Sequence, residues 1–386
     1  MASASEQPPN TVENRRLILA GQIAFLPTGI LTTLLGPMLP ILISRWALND
    51  TQAGNLFLVQ FFAALAGVQL SGVLLARVGF RPAFLLGLVL LGCGAATIYL
   101  GSPWLVMVSV AVYGLGIGCI VPTDNLMIAE LSPNSRAAAV SLLNFYWGAG
   151  AVLCSLLVAW SHAHKLLPAF LGGVTVLCLL LAAAVRNLPY PKAVKSAGST
   201  IQWRGILKNP AFWLFAIVFL LYPGAETAVG GWIGSYVTRM GSQGAAMGSM
   251  MPAFFWAALM VGRASAGLVL RLLPERGILQ GGFALGTAGI ALMLRSETLP
   301  GVIASALIIG LSFAILYPIT VARLSHHFGA AARSVGPVMF SLAAVGPAVM
   351  PWTVGVISNA TGNLRAGLAV PLVATAVLFL IHLRDW

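Results

Sequence analysis

Residues 187–208 read NLPYPKAVKSAGSTIQWRGILK, the longest clearly polar interruption in a chain otherwise built of apolar runs. Its Pro, Ser and Lys content is that of a linker. Six runs precede it, at about 17–45, 53–76, 82–100, 104–130, 137–161 and 165–185. Six follow, at about 209–238, 246–270, 276–294, 299–322, 334–358 and 364–383. Runs near 20 residues without period-two alternation fit membrane-spanning helices rather than barrel strands. The expected fold class is therefore an all-α polytopic membrane protein of twelve transmembrane helices. Two six-helix bundles are expected, at 15–186 and 209–386, joined by the cytoplasmic linker 187–208 and preceded by a disordered cytoplasmic tail at 1–14.

Composition supports this division. The chain is 59% hydrophobic and 8% charged, against about 25% charged in an average soluble domain, too little polar surface to face water all round. Its solvent is lipid, in which only helices or closed barrels leave no backbone group unpaired. The net charge of +12 and pI of 10.2 come from basic residues scattered singly at span ends. No basic stripe of the kind a nucleic-acid groove needs is present, so nucleic acid is not an expected partner. Cys93, Cys119, Cys154 and Cys178 lie within apolar runs without CxxC spacing and read as small core residues. The first apolar run is too long for a signal-peptide core and lacks a cleavage pattern, so it is expected to stay in the membrane.

The two halves repeat each other. Pro27 answers to Pro223, Gly114 and Pro122 to Gly310 and Pro318, all at an offset of 196; Gly67 and Gly72 answer to Gly262 and Gly267 at 195, and Arg136 to Arg333 at 197. Matched Pro and Gly inside apolar segments, held in register along a whole half, indicate a duplicated bundle. Duplicated membrane bundles are characteristic of transporters with a site between the repeats. With the N-terminus cytoplasmic, fifteen Lys and Arg fall inside and five outside, which places both termini and the linker in the cytoplasm. Six spans per half make the repeats parallel.

The loop after span two, Gly72-Val-Leu-Leu-Ala-Arg77-Val-Gly79-Phe-Arg81, resembles the Gly-x-Leu-x-Asp-Arg-x-Gly-Arg-Arg signature of the major facilitator superfamily, and the resemblance runs from about 15 to 384. Ala76 stands where that signature has Asp. The resemblance implies a cytoplasmic latch around Arg77 and Arg81, altered here by the missing acid. Glu130-Leu-Ser-Pro133-Asn-Ser-Arg136 resembles the family's Pro-x-x-Arg turn, and a Glu130 pair with Arg77 or Arg136 is a candidate replacement. Tyr222-Pro-Gly-Ala-Glu226-Thr-Ala-Val-Gly-Gly-Trp232 is similar to the fucose and related sugar:proton symporters. So are Gly262-Arg263 with Gly267, Tyr317-Pro318, and Ala344-Val-Gly346 with Pro351-Trp-Thr-Val-Gly355, although other branches share these three. Gly148-Ala-Gly150-Ala-Val-Leu lacks the Pro of the antiporter element, which counts against a drug antiporter.

Ionisable residues well inside spans are Asp124, Glu226 and Arg263, with Glu130 nearer an end. Each costs roughly 2.5 to 3.5 kcal/mol at the centre of a span by insertion scales and is a functional candidate for that reason. Glu226, some 17 residues into span seven, follows Pro223-Gly224 and precedes Gly230-Gly231. The helix there is expected to be kinked or locally open, and Glu226 is the expected proton-coupling residue. Asp124 beside Asn125 fits either transient protonation or a cytoplasmic-side network with Glu130. Arg263, beside duplicated glycines, reads as a gating residue more than an anion site, since no second cation lies at similar depth.

A sugar site combines amide and hydroxyl partners with aromatic faces. Candidates are Gln60, Asn125, Asn144, Trp147, Tyr222, Glu226, Trp232, Trp256, Tyr317 and Trp352; Asn144 and Trp147, three apart, share a helix face. The competing bland reading of any one aromatic is a lipid-facing, core or interfacial side chain. Histidines fall at span ends without ligand spacing, so no metal and no cofactor is expected. The sequence thus points to a monomeric plasma-membrane transporter of a small polar solute, sugar-like, coupled to protons. The alternatives are an exporter of drugs or lysolipids and, in a different class, a membrane-embedded enzyme, which no HExxH, nucleotide loop or Ser-His set supports.

Overall fold

The structure, a computed structural model, describes residues 11–133, 135–191 and 203–383. Among the described residues there is no strand, and eleven helices are long and apolar enough to cross a membrane; a twelfth span is the pair Met251–Ala264 and Ala266–Leu272, bent by 58°. The first half holds Thr11–Thr33 continued by Leu35–Trp46 as span one, then Asp50–Arg77, Phe80–Thr97, Pro103–Leu131, Arg136–Ala163 and Leu167–Val185. The second half holds Pro210–Thr238 as span seven and the bent pair as span eight. Glu275–Arg295, Leu299–Phe313 with Leu316–Phe328, Ala332–Thr361 and Leu364–Leu383 complete the twelve.

Three local expectations are corrected. The first helix begins at Thr11, inside the stretch expected to be a tail, with Glu13 in its first turn where a carboxylate complements the helix dipole; residues 1–10 lie outside the described residues. Within the expected linker, 192–202 lie outside the described residues and Trp203–Lys208 is a short helix. The Trp213 indole donates to the Leu207 carbonyl at 3.0 Å, tying that helix to span seven. Span seven is unbroken across Pro223 and Gly224. Gly224 is pressed against the Gly346 carbonyl of span eleven. Breaks occur elsewhere, at Leu34, Ser265 and Ala314–Ile315. Pro37 and Pro318 lack the N–H that would bridge two of these turns.

The repeated glycines do the same work in each half. A side chain on Gly114 would overlap the Gln60 carbonyl, and one on Gly310 the Phe255 carbonyl; Gly67 lies on Leu115 and Gly118, Gly262 on Leu311 and Ala314. Spans two and four, and spans eight and ten, are thus in backbone contact at equivalent places. Gly72 and Gly267 are different, with no other atom within 4 Å of where a side chain would begin.

The halves close on each other on the side away from the chain ends. There Gly36 meets Gly230, Gly54 meets Trp352, Gly231 meets Phe57 and Gly355 meets the Asp50 carbonyl. Near mid-depth Gly148 packs on Met260. These contacts lie at or beyond the middle of the spans; nearer the terminal ends of spans five and eight, Asn144, Phe145, Val261 and Leu268 are exposed.

Candidate functional site

Glu226 sits 14% exposed at the middle of span seven, and its carboxylate receives the Tyr222 hydroxyl at 2.5 Å. Tyr222 is one helical turn earlier, the spacing that lets side chains meet. The same hydroxyl lies 2.8 Å from the Phe313 carbonyl, just before the break in span ten. Breaks leave helix carbonyls without their own partners, and Tyr222 supplies one. A phenol has a single hydrogen to donate and here faces two acceptors. Tyr317 stacks on the Tyr222 ring at 6.3 Å.

Arg263 reaches toward the same carboxylate, its Nη2 3.9 Å from Glu226 Oε1. It stands at the bend of span eight, where the Ser265 hydroxyl donates to the Gly262 carbonyl at 2.9 Å. Its guanidinium carbon is 5.8 Å from the Trp147 ring centre, a cation–π contact between the two halves. Trp147 in turn meets Trp256 edge to face at 5.8 Å. Trp147, Tyr222, Glu226, Trp256, Arg263 and Tyr317 therefore form one group at the junction of spans five, seven, eight and ten. Asn144 lies one turn from Trp147, exposed, with its amide donating to the Val140 carbonyl at 2.9 Å.

Other expected binding residues are placed elsewhere. Gln60 is buried, donates to the Thr32 carbonyl at 2.9 Å and accepts from Tyr113 at 2.9 Å; it caps the break in span one. Trp232 is fully enclosed and donates to the Pro351 carbonyl at 2.9 Å. In this conformation their polar atoms are already committed, the Gln60 amide and the Trp232 indole to backbone carbonyls and the Gln60 oxygen to Tyr113. Asn125 donates to Val121 within its own helix at 2.8 Å. Trp352 is half-buried, its backbone against Gly54 on the closed side.

Asp124 is buried with neither carboxylate oxygen hydrogen-bonded, as is the neighbouring Thr123 hydroxyl. Gly21 of span one faces it closely. Beyond span six, the Tyr190 hydroxyl is also buried without a partner; burial pushes its phenol above the ordinary range, with Arg81 opposing and Asp124 adding to the shift. Among the described residues no ion pair joins Glu130 to Arg77 or Arg136. Arg77, Arg81 and Arg136 are exposed, and Arg136 acts on Glu130 only as a nearby opposite charge.

Three residues escaped the sequence reading. Asp50, at the start of span two, receives both Arg239 Nη atoms at 3.0 and 2.5 Å and the Ser358 hydroxyl at 2.5 Å. This cluster clamps the two halves on their closed side. The available signal was an acid and an arginine at span ends on the same side of the membrane.

A family model described as Major Facilitator Superfamily matches residues 23–351. The chain is 26% identical over 396 residues to a "Glucose/galactose transporter" of Brucella abortus, covering 92% of this chain and 90% of that protein. It is 26% identical over 401 residues to the "2-nitroimidazole transporter" of Escherichia coli, covering 96% and 94%. A yeast relative, "Bypass of stop codon protein 6" of Saccharomyces cerevisiae, is 27% identical over 286 residues, 65% of this chain; the match spans 56% of that relative. Among solved structures, the nucleoside transporter NupG superposes with a TM-score of 0.79 at 13% identity, covering 95% of this chain and 99% of that one. The E. coli fucose:proton symporter superposes at 0.64 and 17%, covering 96% and 98%. At these identities the structures establish a shared fold.

Proposed function

Because the chain belongs to the Major Facilitator Superfamily, we propose that it is a secondary active transporter that moves a small polar solute of the sugar class by alternating access, with a proton carried on Glu226. Membership makes it a membrane transporter and not an enzyme; the solute and the proton are our reading. The observation that carries the proton is the Tyr222 hydroxyl, with one hydrogen between Glu226 at 2.5 Å and the Phe313 carbonyl at 2.8 Å. A proton on Glu226 completes this arrangement. The carboxyl then donates to the Tyr222 oxygen, and Tyr222 donates to Phe313.

In this reading the bundles are 15–186 and 209–386, both termini and the linker face the cytoplasm, and a monomer sits in the plasma membrane. The structure then corresponds to an inward-facing state, shut outside by Asp50, Arg239 and Ser358. Arg77, Arg81, Glu130 and Arg136, at the cytoplasmic end of the first half, are the gating residues that meet the second half when the cytoplasmic side closes. Asp124 is a second proton carrier in the other half. Aromatic faces on Trp147, Trp256 and Tyr317 beside the Glu226–Arg263 pair suit a ring-shaped polar solute. The same faces favour a second reading, an exporter of amphipathic organic compounds, which the similarity to the 2-nitroimidazole transporter also supports.

The test is uptake into proteoliposomes under an imposed proton gradient, with a panel of sugars, comparing the wild type with Glu226→Gln. We expect gradient-driven accumulation that Glu226→Gln abolishes while exchange at equal pH persists. Accumulation that survives Glu226→Gln removes the proton assignment. Transport of amphipathic compounds without competition by any sugar selects the second reading.

A further inference from the structure

Two buried hydrogen-bond donors on span eight have no acceptor. The Arg263 Nε–H and the Trp256 indole N–H are both withdrawn from solvent, and neither has a partner among the described residues. Seven residues apart, they lie close to two full turns and so on one helix face. Trp147 of the opposite half contacts both side chains, at 5.8 Å from the Arg263 guanidinium and 5.8 Å from the Trp256 ring. Donors left this way are costly, most of all on a charged group.

Glu226 does not resolve the deficit. Its oxygen is 3.9 Å from the guanidinium, outside hydrogen-bond range, and its other oxygen is engaged by Tyr222. The guanidinium has five N–H donors in a planar fork that matches a carboxylate, and its side chain is 31% exposed at the site. The charge balance is the deciding point. Once Glu226 holds a proton, Arg263 leaves the site with one uncompensated positive charge. A neutral sugar does not cancel it, whereas a carboxylate does.

From these orphaned donors we propose that the solute is a polyhydroxylated monocarboxylate, a sugar acid, whose carboxylate is held by Arg263 with the Trp256 N–H as a further donor and whose ring lies against Trp147. Trp256 supplies, without charge, the second donor that an anion site needs. The proposal rests on the proton-coupled reading of Glu226 and makes it quantitative. One monoanion moving with one proton carries no net charge, whereas a neutral sugar with one proton carries one.

Binding to the detergent-solubilised full chain is measured by calorimetry for matched pairs, each hexose with its hexuronate, which keeps the sugar ring. At least one acid is expected to bind tenfold or more tightly than its neutral partner. Arg263→Gln is expected to erase that preference, Arg263→Lys to retain part of it, and Trp256→Phe, which keeps a ring and deletes the N–H, to weaken the acid several-fold. A panel in which no acid outbinds its neutral partner, or a preference that survives Arg263→Gln, overturns the proposal. Proteoliposomes carrying a potential-sensitive dye separate the two readings without any variant. Acid accumulation under a proton gradient with no potential change supports the proposal. Accumulation of neutral sugar with a potential change sinks it and leaves proton-coupled sugar transport standing. If the gradient drives neither, both fall together.

Discussion

Asp50 and Arg239, 189 residues apart in the chain, join the two halves of the molecule through a two-pronged ion pair, with Ser358 donating to the same carboxylate. The arginine side chain is 40% exposed and the aspartate 11%, so solvent screens the pair. Exposed pairs are worth about 0.2–1 kcal/mol. Asp50→Asn or Arg239→Gln is expected to shift the balance toward a state open on that side by up to about fivefold, the equivalent of about 1 kcal/mol. Spin-label distances across the closed side will show it as a growing long-distance population. An unchanged distance distribution would leave the clamp a bystander.

Tyr222→Phe removes the hydroxyl shared by Glu226 and the Phe313 carbonyl. Leaving a buried acceptor unpaired costs about 1–3 kcal/mol. We expect a lower thermal midpoint in detergent and gradient-driven uptake reduced tenfold or more, with exchange at equal pH much less affected. Equal losses in uptake and exchange would show that Tyr222 serves packing alone.

Gly114→Ala and Gly310→Ala should behave alike, because each puts a methyl into a backbone carbonyl at the matching place in its half. Overpacking of this kind costs about 1–3 kcal/mol. Gly72→Ala and Gly267→Ala, facing open space, should leave the unfolding midpoint of this state within a degree or two of wild type, an effect of at most about 0.5 kcal/mol. Thermal unfolding of the four variants side by side decides it.

Asp124→Asn replaces a buried carboxyl whose two oxygens have no hydrogen-bond partner. An unpaired charge there is far more costly than a neutral amide. The variant is expected to be as stable as wild type or more so, while its gradient-driven accumulation falls. A large loss of stability would mean that Asp124 is held as a needed anion.

Hydropathy made the twelve spans readable because lipid admits only one solution for an apolar run of that length. The repeated glycines were readable for a similar reason: Gly67 and Gly262, like Gly114 and Gly310, sit where one helix backbone lies on another, and no other residue leaves that room. Pro223 shows a missing hydrogen bond but not whether the helix opens there, and span seven runs through it without a break, with Gly224 seated on Gly346. Gln60 and Trp232 have the chemistry of sugar ligands, yet each spends it on a carbonyl of another span. Composition cannot reveal that choice. The Asp50 clamp was invisible because its partners are 189 and 308 residues away, and only the closed halves bring them together.

The hydroxyl of Tyr222 touches both a carboxylate on span seven and the last carbonyl before the hinge of span ten. With one hydrogen to give, this hydroxyl would donate differently to Glu226 if Phe313 shifted relative to span seven. In the proton-coupled reading proposed above, the break in span ten and the proton on Glu226 are thereby joined through a single oxygen atom.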